Sequence, residues 1–393
     1  MFAFDVVAAG HICLDIIPPF AASNKLAFGK VFQPGKLLQI GNVVLGTGGP
    51  VSNTGIALSK LGGRVAFMAK VGNDAFGQII VDKMSAWGNA QGIYRDAAQG
   101  SSYSVILAPP GIDRIILHHP GCNDSFTAET LNWDIVRSAR HFHLGYPPLM
   151  RSLFIDEGEE LAGILQKVKA LGVSTSLDLA LPDPESEAGR MNWRNWFVRV
   201  LPHVDFFTPS IEEIMLLRRR SEWESLRRSA ASFVEAVPAQ QYHAIAEECL
   251  ALGCGVSILK AGHHGMYART ANAQRIARIS LLAANAASWA NRELWGAAYH
   301  HENVQSAAGA GDSAVAGILT ATLLGKTLEE TLQFGNCLGY QNLRALDTVS
   351  GVGTLAETET LLKSLRPVAT PFLDQAWQAT SCHGVLERNQ KIR

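Results

Sequence analysis

The stretch Ser306–Gly325 reads S-A-A-G-A-G-D-S-A-V-A-G-I-L-T-A-T-L-L-G. It opens with small residues, offers one carboxylate, Asp312, and continues as an Ala-rich apolar run to Leu324 that Gly325 closes. Helix propensity favours that run, and glycine suits the left-handed position just past a helix end. The pattern predicts a tight loop feeding a buried helix, with Asp312 at the entrance. A helix N-terminus presents unpaired N–H groups and the positive end of the dipole. Glycines, lacking side chains, let a phosphate approach such a backbone closely. A carboxylate placed there can take a proton beside developing negative charge, a combination suited to phosphoryl transfer. Asp is also a favoured N-cap, so simple capping competes. The run Gly309-Ala310-Gly311 before Asp312 is more than a cap requires.

Composition bounds the rest. The chain has 393 residues, 47% hydrophobic and 18% charged, a globular balance. That length allows one large α/β domain with insertions, or two domains. Lys and Arg number 34 against 35 Asp and Glu, so no nucleic-acid surface is expected. The cysteines, Cys13, Cys122, Cys249, Cys254, Cys337 and Cys382, are scattered and show no zinc spacing. Such usage fits a reducing compartment. The N-terminus runs into an apolar strand over residues 4–14 without a signal-peptide pattern. No apolar run approaches the ~18 residues of a membrane span. A soluble, cytoplasmic protein without a membrane partner is expected.

Asp5–Gly10 is a short apolar run ending in glycine, consistent with a buried first strand. Asp15 then emerges from an apolar context. It can cap a loop or bind a hydroxyl at the carboxyl end of a strand, where open α/β sheets place ligands. Residues 18–45 are rich in Pro and Gly. The loop Gly46-Thr47-Gly48-Gly49-Pro50 with Asn53 opens a second helix, which Gly62 ends. A strand is expected over 64–71, then the turn Gly72-Asn73-Asp74 to Gly77 and a helix over 78–87. Residues 103–107 and 114–117 flank Pro109-Pro110-Gly111 as a hairpin. His118 and His119 resemble metal ligands, but neighbours in a strand point to opposite faces. From the strand 141–144, which leads into Gly145, helices and strands alternate, the mark of a mostly parallel sheet. Residues 218–250 are charged and helical, with Arg218-Arg219-Arg220 expected on a solvated face. Residues 271–303 lack a clean period. Thr327 and Glu330 fit a capping box opening a helix towards Leu346. Residues beyond about 367 look like a variable tail.

Two common nucleotide motifs fail on spacing. From Gly46, the third glycine of a dinucleotide fingerprint would fall on Val51, which leaves a dehydrogenase a distant third reading. Gly325-Lys326-Thr327 resembles the end of a Walker A loop, but its upstream glycine would be Thr320, inside a helix.

Three features together resemble the PfkB, or ribokinase-like, family of carbohydrate kinases: Gly48-Gly49 with Asn53, the turn Gly72–Gly77, and Gly309-Ala310-Gly311-Asp312. The match runs over roughly residues 4–365. The resemblance implies a three-layer αβα sandwich with a mostly parallel central sheet and a small β lid from about residues 12–45 and 100–122. Residues 1–367 would form the kinase domain, with insertions at about 218–250 and 271–303, and 368–393 a C-terminal tail. It also implies phosphoryl transfer from ATP, with Mg2+, to a hydroxyl of a sugar, expected to be a primary alcohol. Asp312 would be the base, and the N–H groups of the loop Gly309, Ala310, Gly311 and Asp312 the anion hole. Asp15, Cys13, Gly48, Gly49, Asn53 and Gly145 fall on the substrate side. Ser210, Lys260, Gly262, Gly265 and Asn336 fall on the nucleotide side, and Glu213 would reach the metal through water.

The departures are specific. Ser306 and Ala307 stand where the family usually has Asp-Thr. In potassium-using relatives that acid helps hold the ion, so its absence puts a monovalent cation in question. Ser210 replaces an Asn, Cys13 replaces a sugar-contacting Asn of ribokinases, and Ala180 and Pro182 replace an Asn and an Arg. Ribose is accordingly a weaker expectation than a generic sugar. A nucleoside acceptor is the alternative within the class. A sugar sensor without turnover, on the same fold, is the alternative outside it. A homodimer through a lid edge strand is compatible with the pattern, which does not require it.

Overall fold

Val7 and Ala9 of the first strand belong to one buried cluster, and Val6 and Ala8 to another. Side chains alternate across a strand, so a strand apolar on both faces must lie between two helical layers. A computed structural model describes residues 2–20, 33–108, 115–230 and 232–389, and shows this arrangement. Its strands are β1 (Phe4–Gly10), β2 (Cys13–Ile17), β3 (Val44–Gly48), β4 (Val65–Met68), β5 (Lys70–Gly72), β6 (Tyr94–Asp96), β7 (Tyr103–Leu107) and β8 (Ile115–His119). Then come β9 (Ala139–Gly145), β10 (Ser174–Asp178), β11 (Phe206–Phe207), β12 (Val256–Lys260), β13 (Met266–Thr270), β14 (Glu293–Gly296), β15 (Trp377–Ala379) and β16 (Val385–Arg388).

Among the described residues, ten strands form the central sheet in the order β15-β16-β14-β13-β12-β11-β10-β9-β1-β4. The run from β4 to β12 is parallel, and the remaining strands add antiparallel. A four-stranded lid, order β3-β2-β7-β8, stands beside it. Pro109-Pro110-Gly111, the expected hairpin turn, lies outside the described residues, but β7 and β8 pair antiparallel as that turn requires. His118 and His119 do face opposite ways: His118 meets Ser104, and His119 packs on Tyr103.

Four helices bear on the site: α1 (Pro50–Lys60), α2 (Ile211–Arg218), α3 (Ala310–Leu323) and α4 (Leu328–Asn342). Helix α3 is buried on every side from Asp312 to Thr322, as its all-apolar run demands. Val51, Ile56, Ala57 and Leu58 of α1 share a cluster with Val315, Ala316 and Leu319 of α3. That packing sets the two glycine-led helix starts beside each other. The Thr327–Glu330 capping box forms, although α4 ends at Asn342.

Several expectations need correction. The strand expected over 4–14 is two strands, because the chain leaves the central sheet at Gly10 to build the lid. The strand expected over 64–71 also divides, and β5 pairs with β6 outside the main sheet. The helix after Gly77 begins earlier, at Ala75, where Asp74 accepts from the Gly77 N–H at 2.7 Å. Arg218, Arg219 and Arg220 are half-buried and paired with Glu248, Glu185 and Glu224. The irregular 271–303 segment carries β14, and Trp289 and Trp295 are core residues. Within the stretch read as a tail, β15 and β16 continue the central sheet beyond β14. Among the described residues no helix is long and apolar enough to cross a membrane.

Candidate active site

The carboxyl ends of β1, β9, β10 and β12 deliver Gly10, Gly145, Asp178 and Lys260 to one edge of the parallel sheet, where such folds bind ligands. Helix α3 starts at the same edge. Gly309 caps it in the left-handed conformation, with φ of 74°. A Cβ at Gly309 would also lie 2.6 Å from the Thr348 carbonyl oxygen, so glycine is required twice over. Asp312, 2% exposed, follows in the first turn.

Two donors hold the Asp312 carboxylate. Asn53 Nδ2 and the Tyr146 hydroxyl each donate to Oδ2 at 2.9 Å. Its Oδ1 has no hydrogen-bond partner among the described residues. Burial pushes the Asp312 carboxyl above the ordinary carboxylate range, against the pull of Asn53, Lys260 and Tyr146. A base raised in this way, with one free oxygen, is suited to accept a proton.

A cleft of about 750 Å³ adjoins Asp312. Asp15, Cys13, Gly48, Gly49, Asn53 and Gly309 line it together with His11, His118 and Tyr146. Cys13 Sγ donates to Asp15 Oδ1 at 3.4 Å. A Cβ at Gly48 would sit 2.6 Å from Asp15 Oδ2, so glycine there leaves the carboxylate its place. Gly145 does not line the cleft. It packs against Pro50, whose Cβ would lie 2.4 Å from a Cβ at that position.

On the other side of the loop, Lys260 Nζ makes two 2.7 Å contacts with Asp178. A Cβ at Gly311 would lie 3.4 Å from that ammonium, which places Lys260 against the helix start. Burial works against the lysine charge, but Asp178 and Glu213 outweigh it and hold Lys260 above its usual range. Burial likewise raises Glu213, against the pull of Lys260. Glu213 and Ser210 form the capping box of α2, with the Ser210 N–H donating to Glu213 Oε2 at 2.7 Å. Gly262 and Gly265 bound the turn after β12. Asn336 Nδ2 donates to the carbonyls of Gly296 and Ala297 at 2.9 and 3.2 Å, so its amide fixes the end of β14.

Some site residues escaped the sequence reading. Tyr146 has φ of 67°, although the residue before a proline is normally extended. Its N–H donates to the Asp178 carbonyl at 3.1 Å, and this turn aims the hydroxyl at Asp312. His11 Nε2 lies 3.3 Å from His118 Nε2 in the lid. Burial, then His118, pushes His11 down to about 3, so it is neutral at pH 7. Only strand pairing in the lid brings these rings together, and no local motif signals it.

Known structures share this fold. A ribokinase from Arabidopsis thaliana, complexed with ribose and ATP, aligns with a TM-score of 0.68 at 18% identity, covering 92% of this chain and 99% of that one. A fructokinase from Xylella fastidiosa with bound ATP aligns with a TM-score of 0.66 at 17% identity, covering 91% and 98%. In sequence, residues 4–353 match the pfkB family carbohydrate kinase model. The chain belongs to that family. Fructokinase-2 of Oryza sativa subsp. japonica is 27% identical over 222 residues, 54% of this chain and 59% of that protein. The match therefore spans less than two thirds of that relative.

Proposed function

We propose that this protein transfers a phosphoryl group from ATP to a hydroxyl of a small sugar. The observation that carries the reading is Asp312, buried at the N-terminus of α3 and opening on the cleft that holds Asp15. In the proposed reaction Asp312 accepts the proton of the attacking hydroxyl. The hydroxyl oxygen forms its bond to phosphorus, and the oxygen of the leaving nucleotide keeps the electron pair of the bond that breaks. The N–H groups of Ala310, Gly311 and Asp312 face the transferred group, and Lys260 adds positive charge beside Gly311. Positioning and fixed charge supply most of the catalysis in such transfers.

Mg2+ fits this site through the nucleotide. Among the described residues no group of three or more His, Cys, Asp or Glu could hold a metal directly, and Mg2+ commonly keeps waters and uses few carboxylates. Glu213, with one oxygen taken by its cap, would reach the ion through water. When bound, Mg2+ neutralises phosphate charge. The turn Gly262–Gly265 and the segment fixed by Asn336 form the nucleotide side of this reading.

Ile106, Ile116, Leu149, Phe154 and Leu181 also line the same cleft. That favours an acceptor with an apolar face, and keeps a nucleoside as the second reading. A panel of sugars and nucleosides with ATP and Mg2+, scored by ADP release, tests both. Binding without ADP release across the panel would overturn the kinase reading in favour of a sensor.

A further inference from the structure

The loop that carries Asp312 must be held still for its N–H groups to act on a phosphoryl group, and the residues that lead into it, Ser306 and Ala307, offer no carboxylate to a monovalent cation. We propose that Asn342 and Lys60 hold this loop with the protein's own donors, so that the transfer runs without a monovalent cation; this rests on the anion-hole reading of residues 309–312.

Asn342 ends α4 and is fully buried. Its Nδ2 donates to the Ala308 carbonyl at 2.6 Å, and its Oδ1 accepts from Ser313 Oγ at 3.2 Å. Residues 308 and 313 bracket the Gly309–Asp312 loop, so one amide ties both ends to α4. The Ser306 hydroxyl accepts from the Ala308 N–H at 3.1 Å, closing the turn before Gly309.

Lys60 supports the same loop from behind. Thr348 packs on Gly309. The next carbonyls, of Val349 and Ser350, accept from Lys60 Nζ at 2.9 and 3.2 Å. Asp347 Oδ1 accepts the Val349 and Ser350 N–H groups at 3.2 and 2.7 Å. Lys60 lies at the last turn of α1, the helix that supplies Asn53. Its partial burial lowers its pKa, and Asp347 and Glu357 oppose that shift.

A hard monovalent ion binds through oxygen atoms. Around this loop the carbonyls of Ala308, Val349 and Ser350 already accept from an amide or an ammonium. The Lys60 ammonium already puts a positive charge on two of those carbonyls, and Ser306 and Ala307 bring no carboxylate, so the residues present do not fit a second cation. Asn342 and Lys60 are positioning residues: they touch the loop rather than the reacting atoms.

The test compares KCl, NaCl and tetramethylammonium chloride at equal ionic strength. It uses the acceptor found in the panel and reads kcat, KM and Tm. The parent protein is expected to give equal kcat and Tm in all three salts. In Asn342→Asp the donor to Ala308 becomes an acceptor. Its kcat is expected to fall about tenfold or more in tetramethylammonium, the scale of one buried hydrogen bond left unmade. K+ should restore both its rate and its Tm, with little change in the acceptor KM. Lys60→Met, at a partly exposed position, should fold and lose kcat in the same direction. A saturable rise of the parent's kcat or Tm with K+ would overturn the inference. So would unchanged kcat in both variants. If Asp312→Asn retains full turnover, the catalytic reading fails instead, and the Tm comparison still tests how the loop is held.

Discussion

Asn53 and Asp312, separated by 259 positions in the chain, meet at 2.9 Å. The contact joins the starts of two helices that pack on the same face of the sheet. It also presents an ionisable carboxyl, buried and raised, to a cleft.

Replacing Asp312 with Asn should separate chemistry from folding. The rate should fall about 10²–10⁴-fold, the usual contribution of a general base. The folded state holds the Asp312 proton more tightly than the unfolded chain does. Its ionisation therefore disfavours folding fully above the folded pKa and not at all below the unfolded one. At neutral pH the Asn variant should match or exceed the parent Tm, measured by thermal melting alongside ADP release.

The same shift sets the pH profile. Asp312 works as a base only when ionised, so kcat should drop as pH falls through a midpoint above the ordinary value of about 3.9. Asn53→Ala and Tyr146→Phe each remove a bond that lowers the Asp312 pKa. Both should move the acid limb to higher pH. A limb that stays fixed in both variants would argue against Asp312 as its source.

Lys260 neutralises buried carboxylates. Lys260→Met should destabilise the fold by about 3–5 kcal/mol, because Asp178 is left buried and unpaired. Adding Asp178→Asn should recover much of that stability in urea unfolding. Turnover should not return, since the charge beside Gly311 is gone.

Gly309 tests the loop geometry. Alanine in its left-handed conformation costs about 1–2 kcal/mol, and its Cβ would overlap Thr348. Gly309→Ala should lower Tm and reduce kcat more than it alters KM for the acceptor. An unaffected rate would mean that the loop tolerates movement.

The elements legible in the sequence are those that announce themselves locally. Small residues before Asp312, the Gly48-Gly49 loop and the all-apolar run of α3 each carry their own signal. Tyr146 was hidden because it adopts a conformation its Pro-Pro neighbours disfavour. The His11–His118 contact joins residues 107 positions apart, one just before β2 and the other in β8, and depends on how the lid strands come together. Asn342 looked like any polar residue near a helix end, since only packing against Ala308 and Ser313 reveals its use. Strands β15 and β16 are short and lack clean alternation, so tertiary pairing rather than local preference makes them strands.

The pairing of β16 with β14 has a consequence for how the molecule is completed. Residues 385–388 cover the outer ladder of a strand that left the ribosome about ninety positions earlier. Until they arrive, β14 is a bare edge, the kind of surface on which chains pair with their neighbours. A chain shortened before Val385 should therefore reveal its loss first as self-association, with the cleft on the opposite side of β12 still assembled.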